Sequence, residues 1–416
     1  MICRSWRSVP SLTVLDGALR ARVTDGADFM SDLPIVEVGP VAHGGHCVAR
    51  MDGQVVFVRH TLPGETVRIR ITDRQKSFLR ADAVEVLEAS PDRVEPPCPW
   101  SGPGRCGGCD FQHVDPAAQR RLLGDVVREQ LRRLAGLPWD GEVEGVGPEL
   151  GWRTRVRWTV DADGRPGLRA HRSHDIVPVD HCPIAHPDLP PVHDRRWEAG
   201  SVETIVSSTG DRLTVVDGRP ASPDDHVVER VHDHDFRVTG SGFWQVHPRA
   251  AETLVDAVLA GADLQPGEHV VDLYAGVGLF SAFLADAVGE TGRVDVVEWD
   301  RGGVSDSRTN LAGLPQVAIR PGATERVAPG LEGPVDVVVL DPPRTGAKKA
   351  LPAIVGLGAR RIVYVACDPA ALARDLASFA ARGYQLVGLR AFDLFPMTHH
   401  VECVAILDRV GLDTTG

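Results

Sequence analysis

The chain has 416 residues, 43% hydrophobic and 25% charged, a composition that suits two or three soluble globular domains. No apolar run approaches the length of a membrane-spanning helix, which excludes a bundle of such helices. The formal net charge of −12 excludes a simple basic nucleic-acid binder, although only three lysines occur and nearly all positive charge is arginine. Guanidinium groups pair with phosphate and stack on bases, so local arginine clusters still favour RNA over DNA as a partner.

Residues 1–32 show no core period and are expected to be a disordered or non-native extension, with Met30 a possible start of translation. Residues 33–92 read as five short strands. Gly44-Gly45, Asp52-Gly53 and Leu62-Pro63-Gly64-Glu65 are turns between alternating apolar runs. This pattern predicts an oligonucleotide-binding type barrel. From Arg50 to Arg80 it carries seven basic residues against three acids.

Residues 93–240 read as a mixed α+β central region. Cys98, Cys106 and Cys109 lie close together, and Cys182, in His181-Cys182-Pro183, is the natural fourth. Cysteines so spaced in an intracellular type of chain are metal ligands before they are disulfide partners. Four thiolates suit either zinc or an iron–sulfur cluster. Apolar residues at helical spacing predict a helix over 115–134, and alternation predicts strands over 155–160 and 202–216.

Residues 241–410 alternate strand and helix, which predicts a doubly wound, Rossmann-like parallel sheet. Asp272-Leu273-Tyr274-Ala275-Gly276-Val277-Gly278 is a strand, then a glycine turn, and it looks like the first motif of class I methyltransferases. Twenty residues on, Glu298 ends a second strand, where an acid can accept hydrogen bonds from ribose hydroxyls. Asp341-Pro342-Pro343-Arg344 ends the strand over 335–340. Cys367 then ends the run Ile362-Val363-Tyr364-Val365-Ala366, before a helix over 370–381. A thiol at the carboxyl end of such a strand stands where these folds do chemistry.

Cys367-Asp368-Pro369, Asp341-Pro342-Pro343-Arg344 and Phe395-Pro396-Met397-Thr398-His399-His400-Val401-Glu402 together resemble the RNA (uracil-5-)-methyltransferase family. The N-terminal barrel is similar to the TRAM module of some members. The resemblance implies methylation of carbon 5 of a uridine in structured RNA by S-adenosylmethionine, with large-subunit ribosomal RNA favoured over transfer RNA. It implies Cys367 as nucleophile and Glu402 as base. Gln245, Tyr274, Gly276, Gly278, Glu298 and Asp341 would contact the methyl donor, and Phe243 and Arg344 the RNA. Cys98, Cys106, Cys109 and Cys182 would hold a [4Fe–4S] cluster. A cytoplasmic monomer is expected.

Four features depart from the family pattern: the seven residues between Cys98 and Cys106 exceed its usual spacing, Ala366 replaces a serine, and the other two lie at Asp368 and His247. Asp368 replaces an asparagine and sets a negative charge beside the thiol, which opposes thiolate formation unless Arg344 or another cation offsets it. His247 replaces an asparagine after Gln245. Two rival readings follow from the same residues: an amino-group methyltransferase, from Asp341-Pro342-Pro343, and an RNA-binding protein with a degenerate catalytic domain. Arg344 in place of an aromatic speaks against the first, and the intact Cys367 and Glu402 against the second.

Overall fold

The computed structural model describes residues 32–411, and the expectation for residues 1–31 lies outside them. The first five strands, Ile35–Ala42, His46–Met51, Gln54–Arg59, Thr66–Arg74 and Phe78–Glu88, close into a barrel in the order first, second, third, fifth, fourth. The Asp52-Gly53 turn has both residues at positive φ, as a two-residue hairpin requires. Inward alternation of Val36, Val38, Val56, Val58, Val67 and Ile69 fills the interior.

The helix Pro116–Gln130 starts as its sequence predicts: Asp115 accepts from the amides of Ala117 and Ala118, and a proline opens the first turn. Its last stretch, Leu131–Ala135, widens to a π-turn and stops at Gly136 in the left-handed region. A six-stranded antiparallel sheet and the hairpin His226–Val231 with His234–Thr239 form the centre of the chain. The strand expected over 202–216 is present as an antiparallel pair, Ser201–Val206 and Arg212–Val216, with a turn between them that reverses the chain.

The C-terminal sheet has eight strands, in the order Val317–Pro321, Arg293–Glu298, His269–Leu273, Val337–Leu340, Arg361–Ala366, Glu402–Arg409, Tyr384–Asp393 and Val143–Gly145. The first five are parallel; Glu402–Arg409 then runs antiparallel to Arg361–Ala366. Both faces are covered, which explains the unbroken apolar runs. Val338, Leu340, Ile362 and Tyr364 face a core shared with the barrel and the helix Pro116–Gln130. Val337, Val339, Val363 and Val365 face the helices Ala250–Ala262 and Leu279–Val288. Strand order reverses on either side of His269–Leu273, so the crevice beyond its carboxyl end is the switch point where such sheets bind ligands.

Candidate active site

At the switch point the chain leaves His269–Leu273 through Tyr274 (φ 62°), Gly276 (φ 56°) and Gly278 (φ 91°). A Cβ on Gly278 would stand 2.8 Å from the Leu311 side chain, so this turn needs glycine for space as well as for conformation. Glu298 ends the neighbouring strand. One carboxylate oxygen accepts from the Gly276 amide at 2.8 Å, and the other from the amides of Trp299 and Asp300 at 2.7 and 2.6 Å. The acid therefore fixes the glycine turn as well as facing the crevice.

Asp272, buried inside the strand, accepts a 2.5 Å hydrogen bond from Ser281. Burial pushes its carboxyl up to about 7, against the Ser281 hydrogen bond and with the charges of Asp341 and Glu298 adding to the rise. Gln245 is buried and lines a cavity with Thr154, Glu229 and Trp244.

The reacting side is set by register. Ala366 pairs with Cys403, so the next step of the antiparallel ladder brings Cys367 opposite Glu402. Asp341 follows the adjacent parallel strand directly. Cys367 is half-buried; burial, then the charges of Glu402 and Asp341, push its thiol up to about 12, while Arg344 pulls the other way. Glu402 is buried and held well above the ordinary carboxylate range by burial and by Asp341, with Arg344 again opposing. Asp341 itself is raised by burial to about 7. Two acids this close do not ionise together readily, so the pair retains a proton near neutrality.

Arg344 is exposed, with its Nη2 3.2 Å from His400 Nε2. Phe243 is 73% exposed, which rules out the core role open to an aromatic in that position. Trp299, 70% exposed directly after Glu298, was not singled out from the sequence, and Asp272 entered only as the first residue of the glycine motif. An acid within the apolar run Val270-Val271-Asp272-Leu273 was the visible signal for Asp272. Trp299 gave none.

Cys98, Cys106, Cys109 and Cys182 line one pocket with Trp100, Gln112 and Arg153. Gly107 allows the close approach that brings the loop there, since a Cβ would meet the His171 amide nitrogen at 2.5 Å. Burial raises all four thiols, and neighbouring thiols add to the rise at Cys98, Cys106 and Cys109. Among the described residues, however, no group of three or more His, Cys, Asp or Glu is arranged to hold a metal ion. The four cysteines thus share a pocket, and the metal centre expected from their spacing, zinc or iron–sulfur, finds no support in the described arrangement.

Profiles of known families match two parts of the chain: the TRAM domain over residues 35–84 and tRNA (Uracil-5-)-methyltransferase over residues 334–410. A Streptomyces avermitilis protein described as an uncharacterized RNA methyltransferase is 50% identical, over 90% of this chain and 97% of its own length. The chain belongs to the RNA (uracil-5-)-methyltransferase family. A Streptomyces coelicolor member with the same description is 51% identical, over 94% of this chain and 96% of its own. The fold of this family member also matches that of the Pyrococcus abyssi tRNA (uracil-54, C5)-methyltransferase, solved in complex with S-adenosyl-L-homocysteine. The TM-score is 0.67 at 23% identity, covering 89% of this chain and 99% of the other. Its barrel and its doubly wound sheet are thus those expected, and no described helix is long and apolar enough to cross a membrane.

Proposed function

We propose that this enzyme methylates carbon 5 of a uridine in structured RNA through a covalent adduct on Cys367. The observation that carries the reading is the register that sets Cys367 opposite Glu402 with Asp341 at the neighbouring strand end. S-adenosylmethionine, when bound, supplies the methyl group, and Tyr274, Gly276, Gly278, Glu298, Asp341 and Gln245 are the residues that would hold it.

Carbon 5 of uracil is too weak a nucleophile to take a methyl group unaided. Addition of the Cys367 thiolate to carbon 6 forms the Sγ–C6 bond and moves the ring electrons toward oxygen 4 and carbon 5. Carbon 5 then attacks the methyl carbon as the donor's carbon–sulfur bond breaks. Glu402, deprotonated, removes the carbon-5 proton; the C5–C6 double bond re-forms and the thiolate leaves. One proton is released overall. Burial gives Glu402 the basicity for this step. In the resting protein the thiol is protonated, so Arg344 is assigned the task of favouring the thiolate as the RNA closes over the site. Phe243, whose ring is exposed, is assigned to stack on the displaced base.

Cys98, Cys106, Cys109 and Cys182 are assigned to a [4Fe–4S] cluster. What supports this is the family resemblance of the Cys-Gly-Gly-Cys segment together with the common pocket that the four cysteines line. The domain division 33–92, 93–240 and 241–410, a monomeric state and a cytoplasmic location belong to the same reading. Large-subunit ribosomal RNA is slightly favoured over transfer RNA, since the resemblance to members with both barrel and cysteine set includes ribosomal RNA enzymes.

RNA containing 5-fluorouridine tests the mechanism. With S-adenosylmethionine it should give a protein–RNA adduct stable in denaturing gels, since fluorine cannot leave as a cation, and Cys367→Ala should give none. A methylating Cys367→Ala enzyme would overturn the reading. Mapping 5-methyluridine in RNA from a deletion strain identifies the target.

A further inference from the structure

The first hairpin of the barrel reaches the strand end that carries Cys367. His43 stands in the turn between Ile35–Ala42 and His46–Met51, and its Nε2 lies 3.1 Å from Asp368 Oδ2. The hairpin tip is wedged there: a Cβ on Gly45 would stand 2.8 Å from the Cβ atoms of both Asp110 and His399. Nothing larger than glycine fits between those residues, so the position of His43 is set by backbone packing. The other oxygen of Asp368 accepts from the Ala371 amide at 2.7 Å and caps the helix Pro369–Ala380. The carboxylate is therefore fully engaged, one oxygen by its helix and one by the barrel.

We propose that His43 is a positioning residue for Cys367: by pairing with Asp368 it offsets the carboxylate next to the thiol and keeps that thiol reactive. This rests on the reading of Cys367 as nucleophile. The bland alternative is that Asp368 is only a helix cap and His43 only a surface histidine. A cap needs one oxygen, however, and the second is turned to a residue more than three hundred positions away in the chain. An asparagine would cap as well and carry no charge, so an aspartate next to this thiol calls for a partner that holds its second oxygen. Arg344 acts on the thiol itself, but its guanidinium is turned to His400 and not to this oxygen. His43 holds that oxygen.

The charges around the two residues come from every neighbouring element. Glu402 and Asp341 raise the Cys367 thiol, and Arg344 lowers it. Around Asp368, burial acts to raise its carboxyl, but the hydrogen bonds from His43 and the Ala371 amide, and the charges of His43 and Arg374, hold it below its ordinary value. His400 and Cys403 also lie within reach of the Asp368 charge. His43 is the member of this set contributed by the barrel, so the barrel takes part in the chemistry through one side chain.

The test uses the full-length protein and reads the thiol directly, as the rate at which iodoacetamide alkylates the Cys367 peptide, followed by mass spectrometry from pH 6 to 10. His43→Ala should slow alkylation by about three- to tenfold at each pH of this range, where the thiolate is the minor form and the rate follows its fraction. Asp368→Asn should alkylate at least as fast as the wild type. The double variant His43→Ala/Asp368→Asn should regain the wild-type rate, because removing the carboxylate removes the need for its partner. A purely structural clasp predicts the reverse, a double variant as slow as His43→Ala. That outcome, or a His43→Ala rate equal to the wild type, would overturn the proposal. Alkylation needs no methyl transfer, so failure of the nucleophile reading, seen as a methylating Cys367→Ala enzyme, is a separate result.

Discussion

Cys367, Glu402 and Asp341 sit at the ends of strands paired in register with neighbours on both sides, whereas Cys98, Cys106, Cys109 and Cys182 are delivered by turns. Cys106 is held by an isolated bridge to Ala170 and by the 3.0 Å bond from its amide to the Trp100 carbonyl, and Trp100 ties its loop to Asp180 through a 3.1 Å hydrogen bond. A strand end inherits its position from a ladder of hydrogen bonds and two apolar faces. A loop pocket has no such redundancy, and a bound metal group would supply part of its stability. The catalytic crevice should therefore tolerate substitutions that remove chemistry without loss of fold, and the cysteine pocket should not.

The largest effect is expected at the crevice. Glu402→Gln should lower turnover by at least about a hundredfold while the protein stays folded, and it should accumulate the covalent RNA adduct with ordinary uridine on a denaturing gel. Adduct-free loss of activity would move the base elsewhere. At the pocket, Cys109→Ser should cost stability on the order of several kcal/mol and strip iron from protein prepared without oxygen, as read by thermal melting and iron and sulfide assays. An equally stable, iron-free wild type would remove the contrast between the two regions.

Asp272→Asn sharpens it further. The folded-state carboxyl is raised to about 7, above its unfolded value, so the folded protein holds the extra proton between about pH 4 and 7. Stability contributed by that proton is present at low pH and lost as pH rises through about 7. The variant has no such loss and should gain on the wild type across this window, by about 1–3 kcal/mol in denaturant melts at pH 8. A constant offset at all pH values would show that Asp272 is not protonated in the fold. The smallest effect is expected at Phe243, where Ala should leave the melting temperature nearly unchanged and raise the RNA KM by about fivefold.

The crevice was legible in the sequence because its residues are punctuation marks. Asp341, Cys367 and Glu298 each end an apolar run, and glycine follows Tyr274, so motif and strand end coincide. The pocket was legible only as a set of cysteines, since turns leave no period from which to read where four sulfurs will point. What the sequence hid were contacts between distant elements. His43 reads as an ordinary turn residue, and Asp110 as the residue after a cysteine motif. Only the fold brings the first to Asp368 and the second between Arg59 and His399. Trp299 was hidden for a different reason: burial, not residue type, distinguishes it.

The carbonyl of Met397 accepts from the amides of both Asp110 and Phe111 at 3.0 Å, and the Met397 amide donates to the Gln119 side chain at 2.9 Å. Asp110 and His399 are separated by 289 positions, and Gln119 and Met397 by 278. Contacts of that separation are reached late, after long loops have paid their closure entropy. The segment leading to Glu402 therefore docks onto a surface that the first third of the chain must already have built. During synthesis from the N-terminus the cysteine loop emerges before the strands that pack against it. Refolding should accordingly show recovery of the barrel's secondary structure well before any competence to form an adduct, with the interval set by this docking rather than by the sheet itself.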